Sequence, residues 1–195
     1  IGVGVLALIV VFHPEIRKFL VFIGTNYNVN RVLSLDKLFG ASKVKSINHQ
    51  QIESLVDACV SMGKSKTGAL IVLAGSSELN DKIITGEKLN AKISSSLIRT
   101  IFFKNSPLHD GAVIINGNKI SAAGCILPLT TKDLDKALGL RHRAAVGITE
   151  STDATCIIVS EERGSISFAK KGEIKRRISK EMLATLLEEN IQADN

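Results

Sequence analysis

The residues with the clearest chemical potential are a histidine and an aspartate in "NSPLHDGAVII", residues 105–115. His109 and Asp110 stand directly before Gly111 and the apolar run that begins at Ala112. A carboxylate at the mouth of an apolar strand either caps a turn or faces a cation, because an isolated buried charge is costly. Gly111 permits a positive φ or the close approach of a ligand to the backbone. Residue types alone leave both interpretations open.

A second candidate group is the Arg-His-Arg triplet in "GLRHRAAVG", residues 139–147. The guanidinium groups of Arg141 and Arg143 each match two phosphate oxygens at once. In a strand the two arginines would share one face and His142 the other, whereas at the start of a helix all three would fan around its N-terminus. A solvated basic patch paired with acids is the competing interpretation.

Two further polar groups follow apolar runs. Ser160, Glu161 and Glu162 come directly after "CIIV", and carboxylates at a strand end in an α/β sheet lie where ligands commonly bind. Two adjacent acids also form an ordinary turn. Thr130 and Thr131 offer hydroxyl groups after a predicted hairpin, where an ordinary polar loop is the alternative.

Together these groups supply acids for a divalent metal, arginines for phosphates and small residues against which a base or ribose could lie. Oxygen ligands with one histidine suit magnesium or manganese better than zinc. The combination is typical of phosphoryl or nucleotidyl transfer, in which positioning and charge neutralisation supply most of the catalysis. The usual nucleotide motifs, GxxxxGK[ST] and GxGxxG, are absent from the sequence.

Hydrophobic spacing predicts the helices that would position these groups. One helical face has apolar residues at i, i+3, i+4, i+7 and i+8; they are Ile52, Leu55, Val56, Cys59 and Val60. Asn48 is expected to cap this helix and Gly63 to end it. Two more helices are predicted at "SSSLIRTIFF" and at "ISKEMLATLLEEN", the latter capped by Ser179.

Short apolar runs predict the strands. They are "GALIVLA", two runs around a hairpin turn at Asn116 and Gly117, "ATCIIVS" and "SISFAKKG". Strands and helices alternate, but hairpins interrupt the pattern. The predicted fold class is therefore α/β, with a mixed central β-sheet flanked by helices.

Composition narrows the functional classes. The chain has 195 residues, of which 45% are hydrophobic and 23% charged, so it is not a disordered chain. The net charge is +6, and the clearest run of basic residues is "KKGEIKRR". This run is either a solvated surface or a site for an anionic partner. Aromatic residues are only 4% and do not interleave with these charges, so we expect no nucleic-acid partner.

The three cysteines, Cys59, Cys125 and Cys156, are widely spaced in apolar contexts and form no CxxC pair. This spacing supports neither a zinc site nor a disulfide framework. We expect free, buried thiols in a reducing compartment.

The sequence starts with an uninterrupted apolar run, residues 1–12. A membrane-spanning helix needs about 20 residues, so the run is either the end of such a helix or a buried or interface helix. The start on Ile1 leads us to expect an upstream part. Arg17 and Lys18 follow the run, which favours a cytoplasmic location for what comes next. A kink is expected at Pro14.

At "PLHDGAVI", "LGLRHRAAVGITESTDA" and "IVSEERGSIS" the sequence resembles the diadenylate cyclase family, in particular its membrane-anchored branch. The resemblance covers about residues 47–190. It implies synthesis of cyclic di-AMP from two ATP molecules with release of two pyrophosphates, in a homodimer whose subunits meet face to face. Each ATP 3′-hydroxyl would attack the α-phosphate held by the other subunit. A divalent metal, Mn²⁺ or Mg²⁺ with Co²⁺ as a further option, is implied as cofactor.

The resemblance also implies roles for individual residues. The catalytic set is Asp110, Arg141, His142 and Arg143. The ATP-binding set is Gly111, Ala112, Leu127, Thr131, Arg141, His142, Arg143, Ser160 and Glu161. The metal-binding set is Asp110, His109 and Glu162. Within these sets Asp110 would bind the metal or activate the 3′-hydroxyl, and Leu127 would lie along the adenine.

The sequence departs from many relatives at three positions. Leu140 stands where threonine commonly precedes Arg-His-Arg, Ile126 stands where an aromatic residue is common, and Ala74 stands where an acid is common. Aliphatic contact at Ile126 would replace stacking on the adenine.

The resemblance implies a domain organisation. It has the end of a transmembrane helix and a helical linker at residues 1–28, a connector at 29–46, the diadenylate cyclase domain at 47–190 and a tail at 191–195. This organisation implies a bacterial cell-membrane location, with the catalytic domain facing the cytoplasm and open to an unidentified regulator protein.

Two other functions remain as alternatives. One is a catalytically inactive nucleotide-binding regulatory module, which the retention of Asp110 with both arginines disfavours. The other is a binder of polyanions through "KKGEIKRR", which predicts strongly salt-dependent binding.

Overall fold

The structure, a computed structural model, describes residues 47–77, 79–135 and 138–193. These residues form α1 (His49–Lys64), β1 (Ala69–Leu73), α2 (Asn80–Ile83), β2 (Glu87–Lys92), α3 (Ser95–Ile101), β3 (Ala112–Asn116), β4 (Lys119–Cys125), α4 (Leu140–Ser151), β5 (Thr155–Val159), β6 (Ile166–Lys170), β7 (Glu173–Ile178) and α5 (Lys180–Ala193). The predicted N-terminal helix, the kink at Pro14 and the connector at 29–46 lie outside the described residues. Over the part of the chain that is described, no helix is both long and apolar enough to cross a membrane.

The described strands form one mixed sheet in the order β2-β4-β3-β1-β5-β6-β7. Strands β1 and β3 pair in parallel, and the other five neighbouring pairs are antiparallel. The prediction of a mixed sheet flanked by helices is confirmed.

Two apolar layers cover the faces of the sheet. Helices α1, α3 and α5 contribute to the layer on one face, and α2 and α4 to the layer on the other. Strand β1 serves both layers, with Ile71 facing the first and Leu70 and Val72 facing the second. Every residue of β1 is buried, which explains why this central strand appears in the sequence as a continuous apolar run.

The predicted caps at Asn48 and Ser179 are present, and Ser94 is a further cap. Asn48 and Gln51 form a capping box at the start of α1, Ser94 caps α3, and the Ser179 hydroxyl accepts a hydrogen bond from the N–H of Met182 in α5. The prediction that Gly63 ends α1 is wrong, because the helix continues to Lys64.

Packing explains the glycine at position 63. A Cβ placed on Gly63 would lie 2.6 Å from the carbonyl oxygen of Gly164. The helix therefore approaches the turn between β5 and β6 more closely than a side chain would allow.

The hairpin between β3 and β4 is also confirmed, one residue further along the chain than expected. Asn116 pairs with Lys119, so Gly117 and Asn118 form the two-residue turn. Gly117 has a φ of +56°, a value for which glycine is well suited.

Two strands were missed at the sequence level, β2 and β7. Both are edge strands, and their residues are exposed or half-buried. In β2, Leu89 and Ala91 alternate with polar residues but are only half-buried, and β7 contains three consecutive basic residues. Neither sequence therefore identifies a strand with a buried face. The basic run "KKGEIKRR" therefore includes a sheet edge, where Arg176 forms an ion pair with Asp135 at 2.7 Å.

All three cysteines are free and buried, as predicted. Burial raises the pKa of the Cys59 thiol to about 12 and that of the Cys125 thiol to about 11, and it also raises the pKa of Cys156. At neutral pH these side chains are neutral thiols that pack as small apolar groups.

Candidate functional site

The directions of the strands bring the candidate residues together at one end of the central strands. Because β1 and β3 are parallel, their N-terminal ends lie side by side. The C-terminal ends of β4 and β5 lie next to these N-terminal ends, since Ala112 pairs with Cys125 and Ala69 with Val159 in antiparallel ladders. Segments that are distant in sequence therefore meet here.

A cavity of about 620 Å³ opens where these strand ends meet. Of the predicted site residues, it is lined by Asp110, Gly111, Ala112, Leu127, Arg141, His142, Ser160, Glu161 and Glu162. The remaining wall consists of Leu70, Cys125, Ile126, Leu129, Gly139, Leu140, Ala144 and Val159. The structure therefore joins the Asp-Gly, Arg-His and Ser-Glu-Glu groups in one site.

Three predicted residues lie outside the cavity wall. The Nδ1 atom of His109 is 2.6 Å from the carbonyl oxygen of Ser106. Arg143 is half-buried on α4, and Thr131 is exposed. Their binding roles stay predictions.

Asp110 and Gly111 differ in environment. Asp110 is exposed, so its carboxylate is not the buried charge that the sequence first suggested. Gly111 has a φ of +109°, and a Cβ on it would lie 2.7 Å from the carbonyl carbon of Gly124. The close approach of the start of β3 to β4 therefore requires glycine at this position, whatever the cavity binds.

The Arg-His-Arg triplet opens helix α4, which decides between the two conformations left open by the sequence. Gly139 precedes the helix and has no side chain, so the first turn of α4 has no side-chain cap. Arg141 extends along the cavity, and its Nη1 donates a hydrogen bond to Glu161 Oε2 at 2.8 Å. Its Nε is buried and has no hydrogen-bond partner among the described residues. This end of the cavity combines a guanidinium with the positive end of a helix dipole.

His142 is buried in the cavity wall at 9% exposure. Burial lowers its pKa, the charge of Arg176 lowers it further, and the charge of Glu162 acts in the opposite direction. Because the pKa lies below its ordinary value of 6.5, the imidazole is neutral at pH 7. A neutral imidazole offers one N–H donor and one nitrogen acceptor.

Ser160 begins the tight turn that carries the two glutamates. Its N–H donates to the carbonyl oxygen of Ser165 at 3.0 Å, and its own carbonyl oxygen accepts from the N–H of Gly164 at 2.8 Å. Its hydroxyl accepts from the N–H of Arg163 at 3.3 Å. These bonds hold Ser160, Glu161 and Glu162 at the end of β5. In them the Ser160 hydroxyl acts as an acceptor, so its hydrogen can still be donated to a ligand.

Carboxylates line the cavity, but they do not form a complete metal cage. In residues 47–193, excluding the undescribed positions, no three His, Cys, Asp or Glu side chains converge on one point. Magnesium is commonly held by one or two carboxylates together with the phosphates of a substrate. Asp110 and Glu162 fit that kind of metal site, in which the phosphates supply the other ligands.

Three exposed apolar side chains form a rim of the cavity. Ile126, Leu129 and Leu140 line it and are 70%, 51% and 71% exposed. Leu129 was missed by the sequence reasoning, which treated "LPLT" as a source of hydroxyl groups. Arg176 was also missed as a neighbour of His142, because β7 was not predicted. The rim suits the flat face of a base, and the arginine and carboxylates suit phosphates with a metal.

Comparison with known proteins gives a consistent result. Residues 56–174 match the DAC family model, described as "DisA bacterial checkpoint controller nucleotide-binding". The cyclic di-AMP synthase CdaA of Bacillus subtilis is 43% identical over 186 residues, covering 95% of this chain and 65% of that protein. A diadenylate cyclase of Listeria monocytogenes is 45% identical over 185 residues, covering 94% of this chain and 65% of that protein.

A solved structure is also similar. The crystal structure of DacA from Staphylococcus aureus, a double mutant, aligns with a TM-score of 0.71 and 46% identity. The alignment covers 72% of this chain and 95% of that one. The chain spans 65% of the length of the two curated relatives.

Proposed function

This chain belongs to the DAC family, described as "DisA bacterial checkpoint controller nucleotide-binding", and from that premise we propose that it is a diadenylate cyclase. It condenses two ATP molecules into cyclic di-AMP and releases two pyrophosphates. The observation that carries the proposal is that Asp110, Arg141 and Glu162 line one and the same cavity. The names of relatives that are 43% and 45% identical supply the nucleotide and the product.

Each cavity holds one ATP. The apolar rim formed by Ile126, Leu129 and Leu140 contacts the adenine, together with Leu127 on the wall. Arg141 binds phosphate oxygens, helped by the N-terminus of α4. The neutral imidazole of His142 donates or accepts a hydrogen bond without adding charge, and Ser160 contributes its hydroxyl group to the phosphates.

The proposed cofactor is a divalent metal, Mn²⁺ or Mg²⁺ with Co²⁺ as a further option. A metal of this class neutralises phosphate charge during nucleotidyl transfer. Asp110 and Glu162 hold it with the substrate phosphates, and His109 is the remaining candidate ligand. Asp110 also stands at the cavity where it can orient the 3′-hydroxyl that attacks.

Cyclisation needs two such sites. A single cavity presents one α-phosphate and one 3′-hydroxyl, so two subunits must face each other for both bonds to form. The catalytic unit is therefore a homodimer. Residues 47–190 form this cyclase domain. Residues 1–28 anchor it to the cytoplasmic face of a bacterial cell membrane through the apolar run before Arg17 and Lys18, and 29–46 connect the two.

The test is incubation of the full chain with ATP and Mn²⁺, Mg²⁺ or Co²⁺, followed by chromatography against authentic cyclic di-AMP. We expect the cyclic product and pyrophosphate to appear together. Binding of ATP without any cyclic product, under conditions where the protein is a dimer, would favour an inactive nucleotide-binding module. Absence of both binding and product would reject the nucleotide assignment.

A further inference from the structure

Gly68 stands directly before β1, behind the cavity wall, and is buried. A Cβ on this residue would lie 2.6 Å from Arg141 Nη1 and 2.7 Å from Glu161 Oε2. Those two atoms are 2.8 Å apart in their ion pair. The ion pair therefore packs against the α-carbon of Gly68. It occupies the space that the Cβ of any other residue at position 68 would need.

Backbone conformation does not explain the glycine. Gly68 is not one of the described glycines with a positive φ, so an alanine can adopt its dihedral angles. The atoms that its methyl group would meet are the ends of two flexible side chains and not the backbone. Glycine at this position thus preserves the location of the Arg141–Glu161 pair and is not needed to form the chain's local fold.

The neighbouring ladder fixes Gly68 relative to the turn that carries Glu161. Ala69 pairs with Val159, one residue before Ser160. Five residues earlier, Gly63 contacts the far end of the same turn, where a Cβ on Gly63 would lie 2.6 Å from the carbonyl oxygen of Gly164. The connection from α1 to β1 therefore supports the turn at two points, Gly63 and Gly68.

The position of Arg141 depends on this support. Its side chain is 24% exposed, and Glu161 is the partner of its Nη1. Its Nε has no hydrogen-bond partner within the part of the chain that the structure describes. The guanidinium is thus held on one side by Glu161 over Gly68, with donor capacity left for an anion in the cavity.

We propose that Gly68 is a positioning residue for phosphate binding, which acts by leaving the space in which the Arg141–Glu161 pair lies. The inference rests on the proposed function for the identity of the anion, the triphosphate of ATP. Its geometric part, the dependence of the ion pair on an absent side chain, does not require that function.

The first test is a crystal structure of Gly68→Ala, with Thr67→Ala as the matched control in the same connection. The Thr67 hydroxyl shares a 2.8 Å hydrogen bond with the Ser65 hydroxyl, and the bond from the Thr67 N–H to the carbonyl oxygen of Met62 belongs to the backbone and survives the substitution. We expect Gly68→Ala to fold and to separate Arg141 Nη1 from Glu161 Oε2, and Thr67→Ala to keep them in contact. An unchanged ion pair in Gly68→Ala overturns the inference.

The second test measures binding of 3′-deoxy-ATP with Mn²⁺, which lacks the hydroxyl group that the proposed reaction uses. We expect Gly68→Ala to weaken binding about tenfold, or ~1.4 kcal/mol, and Thr67→Ala to have no such effect. In an Arg141→Ala background, Gly68→Ala should add nothing, because the contact it disturbs is already absent. Unchanged binding by Gly68→Ala, or effects that multiply in the double variant, overturns the inference.

Failure of the proposed function would look different. If the unaltered chain does not bind 3′-deoxy-ATP, while Gly68→Ala still separates the ion pair, the nucleotide assignment fails and the positioning role stands. If Gly68→Ala does not fold, Glu161→Ala serves as the second variant, because it removes the ion-pair partner of Arg141 and leaves Gly68 unchanged. Binding of 3′-deoxy-ATP that is unchanged in Glu161→Ala overturns the inference.

Discussion

Asp110 and Gly111 are neighbours in the chain, but different constraints act on them. The close approach to Gly124 and the positive φ fix glycine at position 111 through the fold. Asp110, in contrast, is exposed, and it lines the cavity. A charged residue type that the fold does not require is a strong candidate for a role in the chemistry.

Asp110→Asn should therefore separate activity from stability. The change keeps the shape of the side chain and removes the charge that would bind a metal or a hydroxyl proton. We expect formation of cyclic di-AMP to fall at least about 100-fold, while the free energy of unfolding changes by less than about 0.5 kcal/mol. Product chromatography and thermal unfolding check the two parts.

Asp133→Asn is the matched control, since Asp133 is exposed and outside the cavity wall. It should keep the unaltered rate. If Asp110→Asn were as active as Asp133→Asn, the role given to Asp110 would be wrong.

The sequence predicted which residues line the site better than it predicted the contacts between them. Asp110, the Arg-His-Arg triplet and the Ser-Glu-Glu group were candidates by residue type, and the resemblance to a family gave them their expected roles. The Arg141–Glu161 pair was not predicted, because it joins a helix and a turn whose proximity depends on the whole sheet. Leu129 and Arg176 were missed for the same reason, since an exposed apolar rim and an edge strand have no local signature.

At the scale of elements, helix α4 determines where the cavity wall lies. A Cβ on Gly147 would meet the carbonyl oxygen of Pro128 at 2.3 Å and the nitrogen of Thr130 at 2.7 Å. The helix is thus in direct contact with the segment that follows β4, which contains Leu127 and Leu129. Central elements such as β1 and α1 were predictable from apolar spacing, whereas β2 and β7 were not, because edge strands bury little.

Gly147→Ala should destabilise the domain. Alanine gains roughly 0.5–1 kcal/mol of helix propensity, but the methyl group meets backbone atoms that cannot rotate away. We expect a net loss of about 1–3 kcal/mol, typical of an overpacked core, measured by chemical denaturation. In Gly139→Ala the added methyl group meets no atom within 4 Å, so this control should lose much less. Equal stability of the two variants would contradict the packing account.

A polar contact ties the same segment to the end of α4. The hydroxyl of Thr130 donates to Glu150 Oε1 at 2.8 Å, and Lys132 forms an ion pair with the same oxygen at 3.1 Å. The hydrogen bond from Thr130 is the main cause that lowers the pKa of Glu150, and Lys132 adds to it. The folded state therefore favours the ionised form of Glu150.

This pKa shift has a direction that can be measured. A carboxyl group with a lowered folded-state pKa stabilises the fold above its unfolded pKa, and the contribution is lost as pH falls through the folded pKa. Glu150→Gln should unfold at a lower temperature than the unaltered protein at pH 7. The gap should narrow below about pH 4.5, the ordinary value for the group. A gap that is constant from pH 7 to pH 3 would show that ionisation of Glu150 contributes nothing.

At the scale of the whole molecule, the central claim is that one chain holds only half of the reaction centre. The cavity is lined by the guanidinium of Arg141 and by one apolar rim, which suits the single ATP of the proposed function. In the proposed reaction two bonds form in the cyclic product, and each joins a nucleotide in one subunit to a nucleotide in the other. Activity must therefore depend on the encounter of two copies.

The most direct measurement is the rate of cyclic di-AMP formation per subunit across a range of protein concentrations, with the fraction of dimer determined in parallel by analytical ultracentrifugation. The account predicts that the rate per subunit rises with the dimer fraction and levels off when dimers predominate. A constant rate per subunit at concentrations where the protein is monomeric would contradict it.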